Sequence, residues 1–215
     1  MARPEIVCLT NGAFAENSYL VADPDSGDVA LVDPGEEAGL IMRRVATQQW
    51  TPRAVWLTHA HLDHIAGVAE VVRPTGIEIY LHPDDRTLYD GVVEQGRWLG
   101  VRAQAPPPPD HALGDGDTVT IGAFSFDVVH VPGHSPGSVA FVGHGIAIVG
   151  DALFAGSVGR VDLPGGDGAT LLKSITDRLL TLPDETIVYS GHGPATTIGK
   201  ERTSNPFLTG AVPLV

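Results

Sequence analysis

The chain is poor in cysteine, in basic residues and in long apolar runs, and each shortage closes off a class of function. Cys8 is the only cysteine, so no internal disulfide can form and a secreted disulfide scaffold is excluded. Lys and Arg number 13 against 26 Asp and Glu, a formal charge of −13. Nucleic acid and anionic membrane surfaces are held by clustered basic side chains, so neither is an expected partner. The first residues offer no apolar stretch of signal-peptide length before Asn11 and Gly12. The most apolar later run, 138–150, is too short to span a bilayer and is broken by Gly143, His144 and Gly145. A cytoplasmic location is the expectation that follows.

Glycine and proline are plentiful, 26 and 17 residues, and 43% of the chain is hydrophobic against 18% charged. With 215 residues, that balance supports a packed core cut by many tight turns, expected as one domain over 1–215. The patterning predicts strands over 5–9, 18–22, 28–33, 54–58 and 77–81, then over 118–121, 124–131, 138–142, 146–149 and 186–189. Helical spacing of Leu40, Ile41, Val45 and Ala46 predicts a helix over 37–49. Further helices are expected over 63–72, in part over 83–100, over 170–182, and as a short one within 199–209. Four successive prolines, 106–109, fit neither a helix interior nor a central strand and read as a stiff surface connection. Two halves of similar strand and helix order predict an α/β fold with two sheets and helices outside them. Cys8 is expected in the core.

Histidine is in excess, at nine residues, and the excess is concentrated in Thr58-His59-Ala60-His61-Leu62-Asp63-His64. At this composition such a pattern arises by chance on the order of once in a thousand chains. His59 and His61, two apart in extended backbone, point the same way and can share one ion; Asp63 and His64 open a helix and point elsewhere. His134, Asp151 and His192 each follow a predicted strand with glycine beside them, where ligands of layered α/β proteins collect. With Asp151 bridging, seven side chains divide between two divalent ions. His59, His61, His134 and Asp151 hold one, and Asp63, His64, His192 and Asp151 hold the other. Imidazole and carboxylate suit zinc first, with iron or manganese as alternatives. His82, His111, His130 and His144 match no ligand position and read as structural or surface residues. Asp33 reads on its own as a turn residue. Arg160 is the only Lys or Arg between 103 and 172. Its guanidinium either pairs with Asp162 at the surface or holds a substrate carboxylate that the global field does not attract.

The motifs HAHLDH, PGHSPGS, GDALF and SGHGP, in this order and spacing, resemble the metallo-β-lactamase superfamily and, within it, the short bacterial branch of glyoxalase II-like thioester hydrolases. The resemblance covers nearly the whole chain. It implies a four-layer αββα sandwich with a binuclear metal centre at one edge, and for Asp33 a role as a buried support for the ligands. The implied activity is hydrolysis of a thioester such as S-lactoylglutathione, with Asp63 orienting the water nucleophile and Arg160 contacting a glutathione carboxylate. It equally admits an iron-dependent persulfide dioxygenase, since Gly159-Arg160-Val161-Asp162 fits the GR-x-D pattern of those enzymes. A lactonase or β-lactam hydrolase of the same fold is a further reading.

Overall fold

The computed structural model describes residues 3–214. Two six-stranded sheets form its centre. The first contains, in spatial order, β1 (Glu5–Asn11), β2 (Glu16–Ala22), β3 (Asp28–Val32), β4 (Thr51–Trp56), β5 (Glu78–Leu81) and β6 (His111–Ala112). β1 to β3 form an antiparallel meander, and β3 to β6 run parallel. The second sheet contains β7 (Thr118–Ile121), β8 (Phe124–His130), β9 (Val139–Gly143), β10 (Ile146–Gly150), β13 (Ile187–Ser190) and β14 (Thr196–Thr197), with order 14-13-10-9-8-7. A two-stranded ribbon, β11 (Leu153–Phe154) and β12 (Ser157–Val158), follows β10.

Three apolar layers hold these elements, and alternation along the strands explains why there are three. On β3, Ala30 and Val32 face the second sheet while Leu31 faces outward; on β4, Trp56 and Val55 divide in the same way. Trp56 meets Phe126 and Phe141 across the gap between the sheets, with ring centroids 5.8 and 5.4 Å apart. Leu31 and Val55 belong instead to the layer under α1 (Ala38–Thr47) and α3 (Val68–Thr75). On the far side, Ala147 and Val149 pack beneath α6 (Gly168–Ser174), its π-helical continuation Ile175–Leu179, and α7 (Ile198–Ser204). Strands buried on both faces read as nearly continuous apolar runs, as Ile146–Gly150 does. The result is the predicted four-layer αββα sandwich. Among the described residues, no helix is long and apolar enough to cross a membrane.

Some local expectations fail for physical reasons. The helix predicted over 63–72 is two pieces, α2 (Leu62–Ile65) and α3, because Gly67 presses against the Pro34–Gly35 backbone. Its N–H donates to the Pro34 carbonyl at 3.0 Å, and a Cβ there would lie 2.2 Å from the Gly35 oxygen. Residues 83–100 divide into a 3-10 turn (Pro83–Asp85), α4 (Arg86–Asp90) and α5 (Val92–Leu99). Cys8 is exposed: it lies on the edge strand β1 and not in the core.

One buried carboxylate ties the two halves together. Asp85 accepts the Ala60 N–H at 2.8 Å and, from the second half of the chain, the Gly137 N–H at 2.6 Å and the Ser135 hydroxyl at 2.8 Å. Asp85→Ala is expected to strand these donors and to lower the unfolding free energy by ~2–4 kcal/mol in urea titrations. Asp85→Asn should recover part of that loss; an unchanged midpoint for Asp85→Ala would show that the brace contributes nothing.

Candidate metal centre

The ligand candidates meet because strands from both sheets deliver their carboxyl ends to one edge. His59 and His61 follow β4, Asp63 and His64 lie on α2, His134 follows β8, Asp151 follows β10, and His192 follows β13. Nε2 of His134 faces Nδ1 of His61 at 2.8 Å and Nε2 of His59 at 3.2 Å. Beside this group, Nε2 of His192 is 3.2 Å from Asp63, whose carboxylate is 3.8 Å from Nε2 of His64. Asp151 lies between the two groups: one oxygen is 3.5 Å from both His134 and His192, and the other is 3.4 Å from His64. The backbone must come very close for this to happen. A Cβ at Gly191 would lie 2.1 Å from the Asp151 Oδ1.

The outer nitrogens of three imidazoles are occupied, which leaves the inner ones as lone pairs. His134 donates from Nδ1 to the Arg160 carbonyl at 2.8 Å. His64 donates from Nδ1 to Asp33 at 3.0 Å. Thr58 donates its hydroxyl to Asp33 at 2.5 Å, so its oxygen accepts from Nδ1 of His59 at 3.1 Å. Asp33 thus supports one imidazole in each group, directly and through Thr58.

Three buried polar atoms lack a hydrogen-bond partner among the described residues: Nε2 of His61, Nε2 of His64 and Oδ1 of Asp151. Nε2 of His64 and Oδ1 of Asp151 face each other and the neighbouring ligand candidates, where orphaned acceptors would be costly unless a cation took them; Nε2 of His61 is the far nitrogen of a ring whose Nδ1 faces the cluster. Five imidazoles and two carboxylates in such an arrangement fit divalent metal ions. Burial, reinforced by neighbouring imidazoles, holds His59 far below the usual histidine range and His61 down to about 3, so both are neutral and able to ligate. Burial also opposes charge on His64, yet the carboxylates of Asp151 and Asp63 pull its pKa well up. A field that favours a proton there equally favours a metal cation.

The other histidines lie elsewhere. His111 bonds to Glu78 at 3.0 Å, and His144 to the Ser125 carbonyl at 3.1 Å. His82, Asp84 and His130 form a second group compact enough for an ion. The rings of His82 and His130 are stacked, however, with centroids 4.2 Å apart and planes 9° from parallel. In-plane lone pairs of stacked rings do not converge on one point. Arg160 lines the cavity over the cluster, and its guanidinium makes two 2.7 Å bonds to Asp162, which raise its pKa and draw that of Asp162 down to about 2.

Three supporting residues escaped the sequence reading. Asp85 braces the two ligand loops, as described above. Gln95, on α5, accepts the Leu62 N–H at 3.0 Å and donates to the carbonyls of Ala60 and Leu88 at 3.2 and 2.8 Å. Asn17 donates to the carbonyls of Ser190 and Gly193 at 3.0 and 2.8 Å, clamping the loop of His192. All act on distant backbone, which only a nearby strand or helix of known position could reveal. Above the cluster opens a cavity of about 510 Å³, whose walls include Leu62, Leu88, Phe154 and Leu163.

Comparison with known proteins agrees with this geometry. The family model of the metallo-beta-lactamase superfamily matches residues 11–192. The chain is 38% identical over 208 residues to the hydroxyacylglutathione hydrolase GloC of Haemophilus influenzae, covering 95% of this chain and 97% of that one. Among solved structures it resembles the BLEG-1 B3 metallo-beta-lactamase, with a TM-score of 0.90 and 41% identity over 96% of this chain and 100% of that one. It also resembles TTHA1623 in a di-iron-bound form, with a TM-score of 0.87 and 44% identity over 94% and 100%. With its sandwich, its ligand-bearing edge and these likenesses, the chain belongs to the metallo-beta-lactamase superfamily.

Proposed function

We propose that this chain is a metal-dependent hydrolase of thioesters of the S-acylglutathione type. One observation carries the reading: seven ligand-type side chains meet in two groups with Asp151 between them, at the floor of an open cavity. His59, His61, His134 and Asp151 would hold one ion, and Asp63, His64, His192 and Asp151 the other; zinc is the proposed metal. When bound there, divalent ions would supply a water acidified to a pKa of about 7 and would polarise the substrate carbonyl.

The residues themselves narrow the leaving group. Apart from the ligand candidates, the polar side chains lining the cavity are Gln95 and Arg160, and neither gives up a proton near neutral pH. Gln95 is in any case committed to backbone. Outside the ligand candidates, a leaving group that needs protonation, such as an alkoxide, finds no donor among these side chains, whereas a thiolate with a pKa of about 8.5 departs unaided. Asp63 orients the attacking water. Although burial opposes ionisation, His64 and His192 keep the Asp63 carboxyl well below the usual carboxylate range, so it is present as the anion that orients the water. Arg160 is proposed to hold a substrate carboxylate. Its pair with Asp162 is exposed, with side-chain accessibilities of 62% and 63%, and an exposed pair is weakly held and exchangeable. The likeness to a hydroxyacylglutathione hydrolase supports the same substrate class.

A second reading, on the Gly159-Arg160-Val161-Asp162 pattern, is an iron-dependent persulfide dioxygenase; the di-iron-bound form of TTHA1623 supports only iron as a metal for this fold. Metal analysis of protein purified without added metal, with thioester hydrolysis and oxygen uptake assayed side by side, separates the two. Thioester turnover without oxygen uptake is expected; about one iron per chain with oxygen consumed on glutathione persulfide would overturn the hydrolase reading. His134→Ala should abolish turnover and reduce bound metal, while His144→Ala stays within about twofold of wild type; equal losses would refute the ligand assignment. Arg160→Ala should raise KM for a thioester carrying carboxylates and spare an uncharged one, and an unchanged KM would reduce Arg160 to a surface residue.

A further inference from the structure

Among the described residues, five large apolar side chains are exposed, and three of them, Phe14, Trp98 and Leu99, rim the cavity over the metal cluster. Trp98 is 74% exposed and Leu99 54%, at the last turn of α5 before the left-handed Gly100 ends it. Grouping of this kind marks a binding surface, because isolated exposed apolar residues scatter. Their position relative to the cluster is fixed by Gln95. Residues 95, 98 and 99 are spaced i, i+3 and i+4, so they share one face of the helix. On that face Gln95 bonds to Ala60 and Leu62, within the segment that bears His59 and His61. The lip of Trp98 and Leu99 is therefore held in register with the ligands.

Another part of the wall has a different chemistry and a different origin. It comes from the loop after β12, with Arg160, Leu163 and Pro164, and among the described residues it carries the only Lys or Arg side chain that lines the cavity. A substrate with one charged flank and one uncharged flank would place the charged flank there and the other against α5.

We infer that the face of α5 formed by Trp98 and Leu99, with Phe14 also at the cavity rim, is an acyl subsite that selects thioesters with apolar acyl chains over short hydroxyacyl groups. This rests on the thioester-hydrolase reading for the reaction, and only on the cavity for the subsite. Desolvating methylenes against Trp98 and Leu99 should raise kcat/KM up to about fourfold per added carbon until the wall is covered.

The test uses metal-loaded enzyme and S-acyl-N-acetylcysteamines from acetyl to hexanoyl. The hexanoyl-to-acetyl ratio of kcat/KM should be at least tenfold. Trp98→Ala and Leu99→Ala should each shrink that ratio at least fivefold, while Ile187→Ala, exposed outside the cavity, leaves it unchanged. Ketone isosteres, with a methylene in place of sulfur, are bound but not cleaved, and calorimetry on them reads the subsite without turnover. Chain-length-dependent isostere binding without hydrolysis of any thioester would sink the hydrolase reading and keep the subsite. A flat series in both measurements would overturn the subsite even if thioesters are cleaved. Two other results would also overturn it: a slope that appears only when the thiol is lengthened at constant acetyl, or a change of oligomeric state in Trp98→Ala with the ratio intact.

Discussion

The ligand edge depends on a carboxylate that never reaches the cavity. Asp33, at the end of β3, accepts the Thr58 N–H at 2.7 Å and the Thr58 hydroxyl, and receives Nδ1 of His64. Through these contacts it sets the end of β4, the tautomer of His64 and, by way of Thr58, the tautomer of His59. Without it the inner nitrogens of two groups would be free to carry protons, and the lone pairs on which metal affinity depends would no longer be preset. The backbone accepts some strain for this: Asp33 has φ of 48°, which is unusual for a residue with a Cβ.

Buried acids are dense around this edge, and they behave differently according to their partners. Burial pushes the Glu16 pKa well up, and Asn11 and Ser18 donate to it. Burial also raises Asp85, but less, since two backbone N–H groups and the Ser135 hydroxyl compensate. Imidazoles around Asp63 and Asp151 instead draw their pKa values down. Carboxylates of one kind thus divide into one that burial disfavours as an anion, a backbone brace and two that their surroundings favour as anions. The deficit of basic residues in the chain is consistent with that: ions, not lysines, would balance this edge.

The clustering of the candidate ligands was legible because their spacing is itself the geometry. Residues two apart past a strand end must point together, and glycine beside Asp151 and His192 signals close approach. Two sheets with helices outside were legible in the apolar strand runs and in the face of residues 170–182, and the αββα sandwich was implied by the family resemblance. Asp85 and Gln95 were not, because nothing local separates a buried polar side chain in a loop or helix from a solvated one; their partners, Ala60 and Ser135 or Leu62 and Leu88, are distant in sequence. The break at Gly67 depends on the Pro34–Gly35 backbone arriving from another strand. The strands His111–Ala112, Leu153–Phe154, Ser157–Val158 and Thr196–Thr197 are two residues each, too short for any alternation to show. Cys8 was misjudged because residue type carries no information about which strand lies at an edge.

The two walls of the cavity come from different halves of the chain, α5 from the first and the loop after β12 from the second, while the ligands lie at strand ends beneath both. Drift in either wall can therefore change which molecule is admitted without disturbing the hydrolytic floor. The same scaffold includes both a protein named for hydroxyacylglutathione and one named for β-lactams.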